Sequence, residues 1–464
     1  MLAGHAGRNL PGLLDVAEAA AGGNVQKFVS RPDLKPPTVT VLQHAHDTAP
    51  GLVFVAPSSG PGQRGAMIFD DAGELVWFRP VVDKIVTDFK VGLLHGKPVL
   101  TWWEGKVVHG LADGEWVVLD ASYRELFRFP AAHGRDGDLH EFVITPQNTA
   151  LVTSNETRTW DLTSVGGSRH GQVVGGVVQE LALPSGRLLW EWRSLDHVAV
   201  DETEIKARPG PRFDYFHINS IDVAPDNDLL ISARNTWAAY KVSRRTGKVL
   251  WRLGGKRSDF TFDKGARFEW QHDVREHAHG LVSLFDNAAA PQEEPQSRAL
   301  LLTLDTKRMH VSLEQTYTHR PYPVLSHFLG NTQLLANGNV FVGWGGSPYV
   351  TEFTRSGAIA FDARLAHGGQ SYRAFRFPWV GKATDKPSLG VRGDRLYASW
   401  NGATEIVSWG LLEGATASDL RRTQTVPRAG FETPLTVAAQ TRSAAVVALD
   451  RSGASLGTSN TVRL

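Results

Sequence analysis

The sequence predicts an all-β protein, a six-bladed β-propeller followed by a small β-sandwich. Three observations carry that prediction. Short β-branched or aliphatic runs alternate with Asp, Asn and Gly turns along most of the chain, which is the pattern of consecutive antiparallel strands. A unit closing on Gly-x-hydrophobic-hydrophobic-Trp, or a degenerate copy of it, recurs six times at intervals of about 45 to 65 residues. That spacing suits four-stranded blades with long loops. Composition then changes after Trp379.

Length and composition agree with two domains. A chain of 464 residues exceeds one ordinary core. With 42% hydrophobic and 21% charged residues it has the make-up of a globular protein. A net charge of +1 offers no broad basic field, which argues against nucleic acid or an acidic membrane surface as the main partner. No apolar run has the length of a membrane span. With no cysteine there is no disulfide, thiolate metal site or cysteine nucleophile. Met1 through His5 lack the basic-then-apolar plan of a signal peptide, so the expectation is a cytoplasmic protein or one whose leader has been removed.

In chain order, residues 1–34 form a lead-in. Leu13, Leu14, Val16, Ala17 and Ala20 at helical spacing predict a short helix over Leu10–Gly22, and Phe28 through Pro37 form a proline-stiffened extended segment. Residues 35–380 hold the recurring unit. Its copies are Gly73–Trp77, Arg124–Phe127, Gly186–Trp190, Gly247–Trp251, Val311–Glu314 and Gly357–Phe361. Residues 381–464 continue as short strands such as Arg395–Ser399 and Ala444–Leu449 without a helix signal. They resemble a fibronectin type III sandwich and contain no cluster of titratable groups.

Chemistry gathers between Phe216 and Asn287, where His217, Arg234 and His272 stand at strand starts or ends. A propeller brings its inner strand ends to one central channel, so polar residues there converge from distant positions. His140, before Pro146-Gln147-Asn148, and His217, before Pro225-Asp226-Asn227, share the order His, aliphatic strand, Pro, turn Asn. That order predicts equivalent places in successive blades. A histidine at a strand end is more often a hydrogen-bonded structural residue than a catalyst. His140 has Asp138 and Glu141 at hand for that role, and Arg234 has the alternative of pairing with a carboxylate. The histidines lack a close carboxylate pattern, so no metal is expected.

These motifs, with Phe285-Asp286-Asn287, resemble the arylsulfotransferase family over residues 27 to 464, in the branch common in actinobacteria and fungi. The resemblance implies a six-bladed propeller whose channel is lined by three histidines and an arginine, here His140, His217, Arg234 and His272. It also implies that His272 is the residue transiently sulfated. The expected partners are an aryl sulfate donor and a phenolic acceptor, with no nucleotide, metal or other cofactor. Many members of the family are exported. The chemistry is coherent, because a neutral imidazole is a competent nucleophile near pH 7 and a guanidinium offers a planar fork for sulfate oxygens. Trp102, Trp103 and Phe216 are expected to supply aromatic walls, with Asn219 as a further substrate contact. His327 is expected to be structural. Two other readings remain at this point: a propeller enzyme repurposed as a cyclase or lyase in natural-product biosynthesis, and a ligand-binding propeller without catalysis.

Overall fold

The computed structural model describes residues 24–108, 111–208 and 212–464. The helix expected over Leu10–Gly22 lies outside them. The protein is all-β: among the described residues the only helical pieces are short 3-10 turns. Parallel pairing is confined to two-residue contacts made by Phe213–Asp214 and Thr261–Phe262.

Six inner strands organise the first part of the chain: β1 (Ile85–Leu94), β2 (Gly137–Ile144), β3 (Ile218–Val223), β4 (His272–Glu276), β5 (Asn331–Leu334) and β6 (Gln370–Phe377). Each contacts the next, and β6 returns to β1. Each also leads into an antiparallel run of strands, the runs from β1 and β2 being joined in one nine-stranded sheet through the Gly114–Gly137 pair. From β3 the order runs through Leu229–Ala233 and Ala238–Val242 to Val249–Gly254. The Gly-x-x-x-Trp units and their degenerate copies all fall on the fourth strand counted from the ring, as Gly247–Trp251 does on Val249–Gly254. The reason is packing: at the rim a large ring covers the seam between neighbouring sheets. Trp77, for example, is buried among Phe54, Phe89 and Trp102.

The ring closes with the chain's two ends reversed in order. β6 pairs with Leu52–Ser59, placing Phe377 against Leu52, while Val39–Gln43 adds outside Ile359–Leu365 in the sheet begun by β5. Residues after Trp379 form a three-stranded and a five-stranded sheet around Leu396, Trp409, Leu411 and Val446. They are fastened to the rest. The Asn401 side chain donates to Phe78 O and accepts from Phe78 N, both at 2.9 Å, and Tyr123 donates to Gly402 O at 2.8 Å. The lead-in joins here too: the Glu432 carboxylate accepts from Val29 N and Ser30 N, and Phe28 packs 4.5 Å from Phe431.

Candidate active site

Register places the histidines. Ile144, Val223 and Glu276 are the last paired residues of their inner strands, facing Ala150, Leu229 and Val282 across the first turn. Four residues before each stand His140, Asn219 and His272. The equivalence expected between His140 and His217 is therefore off by two positions: His140 matches Asn219 and His272. His217 precedes β3 with φ of 56°, in the left-handed region that a residue with a Cβ adopts only at a cost. That departure from the strand brings its ring centroid to 4.9 Å from that of His140.

One cavity of about 290 Å³ is lined by His140, His217, Arg234 and His272 together. Its apolar walls come from residues such as Leu139, Ile218, Phe328 and Leu329. The four residues expected to contact substrate lie elsewhere. Trp102 and Trp103 are core residues of Lys97–Val108, with the Trp103 indole donating to Gly137 O. Phe216 packs between Trp192 and Tyr240. Asn219 is fully buried and donates to Gln271 O at 2.6 Å. Alternation explains the tryptophans: adjacent residues of one strand point to opposite faces, and here both faces are core. The His327 ring is exposed, and only its carbonyl enters the site.

Around His272 the hydrogen bonds fix a tautomer. The Asn287 amide donates through Nδ2 to Ser326 O and Leu329 O, each at 2.9 Å, which leaves Oδ1 as the acceptor for His272 Nδ1–H at 2.7 Å. Nε2 then carries the lone pair, and the Leu329 backbone N–H points at it from 3.3 Å. Burial, followed by the charge of Arg234, holds the His272 pKa well below its ordinary value. The ring is neutral at pH 7.

Arg234 has no ion pair among the described residues, so the carboxylate alternative is not the one this fold uses. Its guanidinium stacks 4.5 Å from the Trp270 ring and donates to His327 O, Ala289 O and Asn235 Oδ1. Burial brings its pKa down to about 10 while Asp214 pulls it up, so it stays charged at neutral pH. A guanidinium held only by neutral acceptors beside a cavity keeps its charge available to an anion.

Each of the other two histidines has a carboxylate, as the sequence offered for His140 and did not for His217. His140 Nδ1 lies 2.6 Å from Asp138 Oδ2, and His217 Nδ1 lies 2.5 Å from Asp214 Oδ2. Burial pushes the Asp138 carboxyl up, but His140 outweighs it and the net direction is down. These pairs orient the rings with Nε2 free. Among the described residues no three metal-ligating side chains converge.

Sequence reasoning missed Asp214 and Leu329, and it found Asn287 only as the end of the Phe285-Asp286-Asn287 motif, without a role. Asp214 was readable as Asp-x-x-His beside the Asp-x-His of Asp138, whereas Leu329 acts through its backbone and leaves no residue-type signal. Also missed was the packing of the channel next to the cavity. Glu141 and Asp273, each one residue after a site histidine, join Asp88, Lys90, Arg275 and the fully buried Arg373 in one ionic cluster.

No curated protein matches the chain. Solved structures that align include a protein of unknown function from Bacteroides caccae, at 13% identity over 71% of this chain and 99% of that one, with a TM-score of 0.45. A catalytically inactive virginiamycin B lyase from Staphylococcus aureus with quinupristin aligns at 8% identity over 78% and 97%, with a TM-score of 0.37. The Dos1 propeller aligns at 10% identity over 72% of each chain, with a TM-score of 0.33. No helix among the described residues is long and apolar enough to cross a membrane. The arylsulfotransferase (ASST) family matches residues 90–366, a span that holds all four residues of the histidine–arginine cavity and more than half of the sequence, and the chain belongs to that family.

Proposed function

We propose that this member moves a sulfo group from an aryl sulfate to a phenol by a ping-pong route through His272. The observation that carries the reading is a neutral imidazole, with its Nε2 lone pair set by Asn287, in one cavity with an arginine that has no carboxylate partner. In the first half-reaction Nε2 attacks sulfur and the S–O bond to the aryl group breaks. The electron pair leaves with the phenolate oxygen, which takes a proton from His217, steadied by Asp214. Arg234 and His140 hold the sulfo oxygens through a loose transition state, and the Leu329 N–H, which donates to Nε2 in the resting site, turns to a sulfo oxygen as that lone pair bonds to sulfur. Nδ1–H stays on the ring throughout, so the sulfo-imidazolium keeps its positive charge and remains a good leaving group. A second phenol then gives its proton to His217 and takes the sulfo group.

The scaffold we infer for this chemistry is a six-bladed propeller over residues 35–380 with a fibronectin III-like sandwich over 381–464. The ring of inner strands β1–β6 and the two sheets after Trp379 support it.

The test is incubation with 4-nitrophenyl sulfate, without and then with a phenol, followed by intact mass. Donor alone should leave one sulfo group on the protein, and phenol should remove it. His272→Ala should show neither adduct nor turnover. Turnover by His272→Ala near the parental rate would defeat the mechanism. A parent that ignores aryl sulfates but needs His272 for another reaction would favour the repurposed cyclase or lyase instead.

A further inference from the structure

The inner cavity, at about 290 Å³, sits at the small end of ligand pockets, which run to about 1,000 Å³. It has room for the reacting ring and its sulfo group and little else. A second groove of about 510 Å³ lies against it, and Asp214 lines both. Trp270, the ring under Arg234, and Asn235, which accepts from that guanidinium, also face this outer groove. The floor is aromatic, made of Phe213, Trp237 and Trp270, with the last two rings edge-to-face at 5.1 Å.

Its rim carries Lys206, Arg208 and Arg212, all exposed. Among the described residues none of the three has a carboxylate partner. Of the three acids lining the groove, Asp214 holds His217 Nδ1 at 2.5 Å, Glu204 faces Lys256 at 3.8 Å and Glu293 stands exposed. The groove therefore offers flat apolar surface ending in unpaired positive charge, unusual in a protein whose net charge is +1.

We propose that this groove is an outer substrate subsite, and that the enzyme's aryl substrates extend beyond the reacting ring and end in a carboxylate or another anion. The inference rests on the sulfo-transfer reading for what occupies the inner cavity. In this arrangement the reacting ring enters beside His272, the linker crosses Asp214, and the distal anion meets the rim cations. Aromatic floor and charged rim then select substrates, while Arg234 and the histidines act on any phenol.

The experiment uses the full-length protein and a series of ω-(4-hydroxyphenyl)alkanoates of increasing chain length, each paired with its primary carboxamide. At lengths that reach the rim, kcat/KM for the carboxylate should exceed that for the amide by about two- to fivefold, the scale of exposed ion pairs. The preference should fade as salt rises. In a variant carrying Lys206→Ala, Arg208→Ala and Arg212→Ala the preference should vanish, while unsubstituted phenol is sulfated as before. Equal rates for carboxylate and amide at every length would overturn the proposal. So would a variant that slows both alike. Calorimetric binding of the same series reads the groove without turnover. Carboxylate-selective binding without sulfo transfer would retire the mechanism above and keep the subsite, whereas unselective binding would retire the subsite alone.

Discussion

Asn287 joins two parts of the site: its oxygen sets the His272 tautomer, and its nitrogen holds the carbonyls of Ser326 and Leu329. Asn287→Asp keeps the size but turns a carboxylate oxygen toward those carbonyls, so the Leu329 N–H should lose its aim and kcat should fall about 10²-fold. The pH profile should move too. In the parent, burial and the charge of Arg234 hold the His272 pKa well below 6.5, so protonation removes the nucleophile only below the ordinary histidine range. A carboxylate beside Nδ1 favours the charged ring and raises that pKa, which shifts the acid limb of kcat/KM to higher pH. An unmoved limb would mean that His272 is not the group that must be neutral. The stability sign differs in origin: between the depressed folded pKa and 6.5 the unfolded chain binds the extra proton, so His272 makes folding weaken as pH falls through that window. The reactive residues were legible in the sequence because His, Arg and Asn carry chemistry in their side chains. Their geometry was not: His217 reaches His140 through a left-handed backbone that no spacing rule places.

Elements show the same division. The repeat marked the fourth strands, as with Trp77 on Leu75–Pro80 and Trp251 on Val249–Gly254, because a rim seam is covered by large apolar side chains, aromatic in most sheets and Val311 and Leu313 in one. The inner strands gave a misleading signal. Their polar residues looked like channel lining, yet β1, β2, β4 and β6 use Asp88, Glu141, Asp273 and Arg373 to fill the centre. Trp102 and Trp103 misled for the converse reason, since an adjacent pair of aromatics says nothing about which face is open. The cluster predicts a large energetic effect. Arg373→Met leaves buried carboxylates short of a cation and should cost about 3–5 kcal/mol in urea unfolding. Adding Glu141→Gln should restore part of that loss. A cost under about 1 kcal/mol would mean that water reaches the cluster.

At the scale of the whole molecule, the residues after Trp379 are bound into the first part. Phe431 belongs to the same apolar cluster as Leu34, Val53, Phe69 and Phe361, and the lead-in bonds to Glu432. Heat unfolding should therefore give a single cooperative transition, and deletion of residues 381–464 should lower its midpoint. Two separated calorimetric peaks would show that the parts melt independently. The composition change near Trp379 was visible in the sequence, but this shared core was not, because its partners stand hundreds of positions apart. The pairing of β6 with Leu52–Ser59 has a consequence for synthesis. The strand that completes the earliest sheet is the last of the six inner strands to be made, and at about 5–20 residues per second its partner waits roughly 15 to 60 s for it. Through that interval the nascent chain carries an apolar strand with an open hydrogen-bonding edge, which pairs readily with other chains. Shielding of that edge during synthesis is therefore a requirement of this closure that the stability of the finished ring does not meet.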